Sequence, residues 1–292
     1  MKGIRTVLEI LEINGDIQNS CEELMQPDTA ENLFRKRSRS LAALNEEGQA
    51  EGILVWMLKD RDKDEGAEAE LIDFNGSNEE VLSQLLDEYG ERTGDDGVKR
   101  SFFERPGMAP EERQSFQSAE FDLEEREGRD IILQISDLKS MKIGKKKLPD
   151  TIKNIGVLQD LQFWQGITNC VLHEKKGLMD DLAVMTKAWY DPEVSSYVMT
   201  DGRINGYFLI HRTPSGILMP VLFTAIGPDS RLDLLNMLCY SVNAAVKNYP
   251  ADTKIVIRRH AEYVNSLVSY LLPGLKGETV WAGSRSEEVS LF

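Results

Sequence analysis

The chain has 292 residues, 41% of them hydrophobic and 28% charged, with 22 glycines and 10 prolines. This is the composition of a globular protein and excludes collagen-like and low-complexity chains; the length suits one large domain or two ordinary ones. Acidic residues number 49 against 34 basic ones, and the formal net charge of −15 repels polyphosphate, so it argues against a nucleic-acid partner and favours small cations such as amines.

In chain order, residues 5–26 read as an amphipathic helix, with Val7, Leu8, Ile10 and Leu11 interrupted by acids. Three strands follow at Ser38 to Glu46, Gly52 to Leu58 and Glu68 to Phe74, joined by short turns as an antiparallel meander. The loop Asn75-Gly76-Ser77-Asn78 opens a helix capped by Ser77 or Asn78, with Glu79 and Glu80 in its first turn and Val81, Leu82, Leu85, Leu86 and Tyr89 on one face. A strand at Val98 to Glu104 and a short helix from Pro110 come next. Phe121 to Glu125 and Ile131 to Ser136 then read as a closing hairpin around Gly128.

The second half repeats this order. Helices are expected over about 151–163 and 178–189, strands at Val194 to Thr200, Ile204 to Arg212 and Ile217 to Ile226, and a helix from Ser230 to Asn248. A strand at Lys254 to Arg259 and a last helix at Glu262 to Leu272 end the copy. Gly52 and Gly206 begin equivalent strands. The basic stretch Lys139, Lys142, Lys145, Lys146, Lys147 before Leu148-Pro149 places a boundary between residues 1–143 and 144–292. The alternative is one mixed α/β sheet whose elements recur by chance.

Cys21, Cys170 and Cys239 are odd in number and far apart, and no Cys/His cluster has metal-ligand spacing. A disulfide framework and a bound metal are not expected, and the reducing cytoplasm fits best. Glu9, Glu12 and Asp16 interrupt the apolar residues after the basic N-terminus, so no signal peptide is read, and no run of about 18 apolar residues is present to span a membrane. No GxSxG elbow, Walker A loop, HExxH or Rossmann GxGxxG with its context occurs.

Meander, loop, long helix, strand, helix and closing strand, taken twice, resemble the GNAT superfamily of N-acetyltransferases. The resemblance implies an α/β (α+β) fold of two tandem domains, each a mixed, mostly antiparallel sheet flanked by helices. It implies acetyl-CoA as co-substrate, held beside the third meander strand with its pyrophosphate at the following helix N-terminus, where free amides and the helix dipole favour anions. In the C-terminal copy the residues so implied are Gly227, Asp229, Ser230 and Arg231 for the pyrophosphate, with a backbone amide near Thr224 to Ile226 for the thioester carbonyl. The family often ends its last helix with a tyrosine four residues before a glycine, whose hydroxyl protonates the departing thiolate. Tyr270-Leu271-Leu272-Pro273-Gly274 has that spacing, whereas the first copy places Phe116 there, which has no proton to give.

For the base that deprotonates the amine, His211 in its central strand is the first candidate, and His260, Glu262 and Asp229 are others. Both phosphate loops lack the family's second spaced glycine. The expected function is therefore an acetyl-CoA-dependent N-acetyltransferase of a small amine working through the C-terminal copy, with the first copy degenerate. The competing reading is a non-catalytic protein that keeps the fold as a small-ligand sensor or protein-interaction scaffold. An unrelated mixed α/β protein is the third.

Overall fold

The computed structural model describes residues 8–31, 33, 35, 37–60, 67–139, 147–173, 185–258 and 274–286. The chain divides into two compact units, one of Met1–Gly128 with Glu278–Phe292 and one of Arg129–Gly277.

The first unit holds strands β1 (Glu9–Glu12), β2 (Ser38–Leu44), β3 (Ala50–Asp60), β4 (Ala67–Gly76), β5 (Val98–Arg105) and β6 (Asp122–Glu127). The second holds β7 (Asp130–Gln134), β8 (Ile152–Asn154), β9 (Ser196–Thr200), β10 (Arg203–Arg212), β11 (Leu218–Ala225) and β12 (Lys254–Arg258). The last strand, β13 (Thr279–Ser286), returns to the first unit. Helices are α1 (Gln18–Cys21), α2 (Pro27–Ala30), α3 (Glu79–Asp95), α4 (Pro110–Ser118), α5 (Ile135–Leu138), α6 (Asp160–His173) and α7 (Ser230–Asn248).

One sheet runs β1-β2-β3-β4-β5-β13-β6 and the other β8-β9-β10-β11-β12-β7. Reading from β1 and from β8, both make four antiparallel strands, then a parallel pair (β4 with β5, β11 with β12), then an antiparallel neighbour. Both also carry a bulge at the same place. Ile72 is the extra residue opposite Val55 and Trp56, and Val221 the extra residue opposite Leu209 and Ile210. The expected repeat of element order is thus present, and the fold class is the expected mixed α/β one with two open sheets.

The central strands are apolar on consecutive residues because both faces of their sheet are covered. In the first unit Leu41, Leu54, Trp56, Leu71 and Phe74 pack with Leu82, Leu85 and Tyr89 of α3 and Phe116 of α4. On the opposite face Ala42, Leu44, Ile53 and Val55 pack with Cys21 and Met25. In the second unit Phe208, Ile210 and Leu218 meet Met237, Val242 and Ala245 of α7, while Tyr207, Leu209 and Leu222 meet Phe163, Ile167 and Cys170 of α6. Gly206 permits a close backbone approach, since a Cβ there would lie 2.5 Å from the Thr224 carbonyl oxygen.

Several expectations are corrected. Residues 5–26 are not one helix. Glu9–Glu12 pairs in register with Leu41–Leu44 as an edge strand, which places Ile10 against the α3-side core, and only short helical turns follow. Residues 151–163 begin with β8 and a 3-10 turn, and the helix starts only at Asp160.

The 121–136 segment is not a hairpin. β6 pairs with β13 and β7 with β12, so Gly128 is the point where the chain leaves one sheet for the other, its N–H bonded to Glu278 at 2.8 Å. The chain passes between the compact units at 128/129 and 277/278, where the lysine-rich stretch led to an expected boundary at 143/144. The helix expected at 178–189 lies mostly outside the described residues, with a 3-10 turn at Lys187–Trp189; the one expected at 262–272 lies wholly outside them. Strand β13 lies beyond the last expected element and pairs with β5 and β6.

Candidate active site

In both units the parallel strands separate. β11 shares a single register pair with β12, Leu218 with Ile255, while β12 continues to pair with β7 over its whole length. From Met219 to Ala225 the β12-facing edge of β11 makes no ladder with another described strand. Alternation identifies which groups that edge presents. The Ile226 N–H donates to the Asn205 carbonyl at 2.7 Å, so in the antiparallel ladder Thr224 and Leu222 also point their amides toward β10, and Phe223 and Ala225 point theirs away from it.

This corrects part of the expected site. Ile226 has spent its amide on Asn205, and Thr224, a buried residue, faces the neighbouring strand. The outward-facing amides are those of Phe223 and Ala225; Ala225 lies inside the expected stretch Thr224 to Ile226, and Phe223 one residue before it. No sequence signal distinguishes them, because the phase of alternation is set by pairing with Asn205.

The edge runs into the N-terminus of α7. Gly227 has φ 98°, a left-handed conformation suited to glycine, and Pro228 has no N–H. Asp229 is the N-cap residue but its side chain caps nothing. The Ser230 amide donates to the Gly227 carbonyl at 3.3 Å. Of the amides expected to meet pyrophosphate, Asp229 and Arg231 are those the turn leaves over, with the exposed Arg231 side chain beside them. Opposing an anion, burial and then the neighbouring Asp229 carboxylate push the Asp233 carboxyl above its ordinary value.

His211 is 5% exposed on β10, and its ring lies flat on Trp189 with centroids 3.8 Å apart and planes at 8°. Its Nδ1 is 2.8 Å from the Trp189 carbonyl oxygen. A carbonyl only accepts, so Nδ1 carries a proton in this contact, and Nε2 is the ring's other nitrogen. His211 pairs with Met219, next to the point where β11 parts from β12. Tyr270, His260 and Glu262 lie outside the described residues. The buried Tyr207 hydroxyl donates to the Phe163 carbonyl at 3.0 Å, and the Tyr249 hydroxyl to Asp191; burial raises the pKa of both.

The first unit has the same splay with different contents. β4 pairs with β5 only from Ala67 to Glu70. By the same alternation, anchored by the Ser77 amide on the Glu51 carbonyl, the Phe74 carbonyl faces outward. Arg105 occupies it, donating to the Phe74 oxygen at 2.5 Å, lying 4.3 Å over the Phe74 ring and pairing with Glu112 at 3.4 Å. Phe116 is fully buried, with centroids 4.6 Å from Phe74 and from Phe103 and 5.2 Å from Phe121. The α3 N-terminus is closed by its own cap, Asn78 Oδ1 accepting from the Val81 amide at 3.0 Å. Among the described residues no group of three His, Cys, Asp or Glu is placed to hold a metal ion, and no helix is long and apolar enough to cross a membrane.

No protein-family model matches the sequence, and no curated protein matches it significantly. Solved structures do match the fold. A tandem GNAT protein from the clavulanic acid biosynthesis pathway aligns with 97% of this chain and 99% of its own, at TM-score 0.62 and 10% identity. A putative acetyltransferase from Pyrococcus horikoshii aligns over 99% and 93% at TM-score 0.53 and 11% identity. A probable N-acyltransferase of Enterococcus faecalis V583 aligns over 97% and 73% at TM-score 0.53 and 11% identity. The chain therefore has the fold of tandem GNAT proteins.

Proposed function

We propose that the chain is an acetyl-CoA-dependent N-acetyltransferase of a small amine, working in the cytoplasm through its C-terminal unit, with the N-terminal unit non-catalytic. The observation that carries this reading is the open edge of β11, which departs from β12 after one residue pair and leads to a helix N-terminus that no side chain caps. An amide-bearing arm such as that of CoA can add to such an edge as a strand does. The residues present fit this group at Phe223, Ala225 and Arg231, and Asp229 and Asp233 limit its affinity.

Acetyl-CoA would supply the thioester carbon that the amine attacks. The amine lone pair forms the new C–N bond as the C–S bond breaks. The outward Phe223 or Ala225 amide donates to the carbonyl oxygen as negative charge grows there. His211 Nε2 accepts the amine's proton, and the Tyr270 hydroxyl supplies a proton to the thiolate; thiol and phenol pKa values of roughly 8.5 and 10 make that transfer feasible. The acidic surface draws a cationic amine toward the protein.

Calorimetric titration with acetyl-CoA tests the reading. Wild type and Arg105→Ala should bind alike, while Arg231→Glu should bind at least about tenfold more weakly. Tyr270→Phe should keep its affinity and lose at least tenfold in turnover, since a positioned acid contributes on the order of 10²–10⁴. Absence of binding at about 1 mM would remove the site and leave the second reading, a non-catalytic scaffold, which the Asp229 and Asp233 carboxylates at the α7 N-terminus favour.

A further inference from the structure

In the second unit one face of the sheet carries an apolar row that ends beside the gap between β11 and β12. Ile131 and Leu133 of β7, Ile255 of β12 and Leu218 of β11 lie in the core under α7. Alternation along each strand turns their neighbours Ile132, Val256 and Met219 to the other face, on which Tyr207 and Leu209 of β10 meet α6. His211, two residues after Leu209, points the same way. The register joins these residues into one row. Ile132 stands opposite Val256, and His211 opposite Met219. Met219 and Val256 follow the single β11–β12 pair, Leu218 with Ile255, so they flank the closed end of the gap. Three strand steps of about 4.8 Å carry the row roughly 14 Å from His211 to Ile132.

The row is open where its neighbours are closed. Ile132 is 41% exposed, between Ile131 at 0% and Leu133 at 2%. Val256 and Met219 are half-buried, and none of the three is a member of the apolar cores of the described residues. At the His211 end the row meets the Trp189 ring stacked on the imidazole. Its borders on β7 and β12 are polar. Two residues along on one side Arg258 pairs with Asp130 at 3.1 Å, and on the other side Lys254 stands opposite Gln134. An apolar strip with polar borders fits the apolar part of a ligand. Those borders carry two cations to one carboxylate, which disfavours a second ammonium group lying along the strip.

We propose that this face binds a primary monoamine bearing an apolar alkyl group, the alkyl group lying along Met219, Val256 and Ile132 and the ammonium end directed to the gap beside His211. On the acyl-transfer reading, on which the inference rests for the reaction but not for the binding, this amine is the acceptor. It enters from the closed end of the gap, and the cofactor's phosphates take the α7 end.

The test is a ¹³C-methyl NMR titration of the full-length protein, with the Ile132 and Met219 methyl resonances assigned through Ile132→Val and Met219→Leu. Hexylamine is compared with 1,5-diaminopentane, which has as many non-hydrogen atoms but a second ammonium in place of the terminal methyl. Each is added up to about 10 mM, a range that reveals millimolar affinity. Hexylamine should shift both methyls saturably, with a dissociation constant at least about fivefold below that of the diamine, although the acidic chain as a whole attracts the dication more. Each methylene taken out of water is worth up to about fourfold in affinity, so Ile132→Ser, read on the Met219 methyl, should raise the dissociation constant of hexylamine at least about threefold. No saturable shift, a diamine that binds as tightly as hexylamine, or an affinity unmoved by Ile132→Ser would each overturn the proposal. Acetyl-CoA binding without a hexylamine shift would remove this inference and leave the transferase reading. A hexylamine shift without acetyl-CoA binding would remove that reading and leave the amine site.

Discussion

At the level of single residues, the two units diverge by what each places at one equivalent position. Phe74 and Phe223 both sit on the outward phase of the third meander strand. In the first unit the Phe74 carbonyl is taken by Arg105 and its ring by an aromatic cluster. Asp233 sets the other residue-scale balance. A carboxyl whose pKa is raised in the folded state holds its proton more tightly there than in the unfolded chain, so its ionisation opposes folding. That penalty is full above the folded-state pKa and fades as pH falls toward the ordinary value of 3.8. Asp233→Asn should therefore melt at a higher temperature than wild type at pH 7, and the gap should close as the solution is acidified through the range just above that value. Thermal melts at stepped pH read this directly, and a gap that stays constant or widens in acid would show that Asp233 carries no such penalty.

At the level of elements, the exchange of end strands governs what can fold. In the first sheet β13 lies between β5 and β6, pairing with both, Trp281 facing Arg105 on one side and Glu125 on the other. Gly283 fits there because a side chain would run into the Phe103 ring, 2.2 Å from a Cβ. A fragment of residues 1–143 keeps β5 and β6 but loses the strand that joins them, exposing two unpaired edges. It should show no cooperative melt by circular dichroism, whereas a fragment of residues 129–277, contiguous in the chain and complete in its sheet, should fold and melt cooperatively. A well-folded 1–143 fragment would mean that β13 is dispensable.

For the whole molecule, the formal charge of −15 is self-repulsive in the compact state. Raising sodium chloride from about 0.01 M to about 0.15 M shortens the screening length from about 30 Å to about 8 Å and should raise the melting temperature. A temperature that falls over this range would show that favourable ion pairs such as Arg258 with Asp130 and Arg126 with Glu104 outweigh the net repulsion.

Much of this protein was legible from local pattern. The meander strands, the capped helix after Asn78 and the long helix from Ser230 follow from apolar spacing and cap chemistry, which act over a few residues and are written in consecutive positions. Element order, with the Tyr270 to Gly274 spacing beside it, sufficed to suggest a tandem fold at 10–12% identity to the solved structures that share it. Other features depend on partners distant in the chain. Whether Glu9–Glu12 forms a strand depends on Leu41–Leu44, whether Asp130–Gln134 belongs with Asp122–Glu127 depends on Lys254–Arg258 and Thr279–Ser286, and which amides of β11 face outward depends on Asn205. Tertiary structure decided these because a β-ladder's hydrogen bonds are made between strands, and a strand's own residues do not record which edge its partner will take.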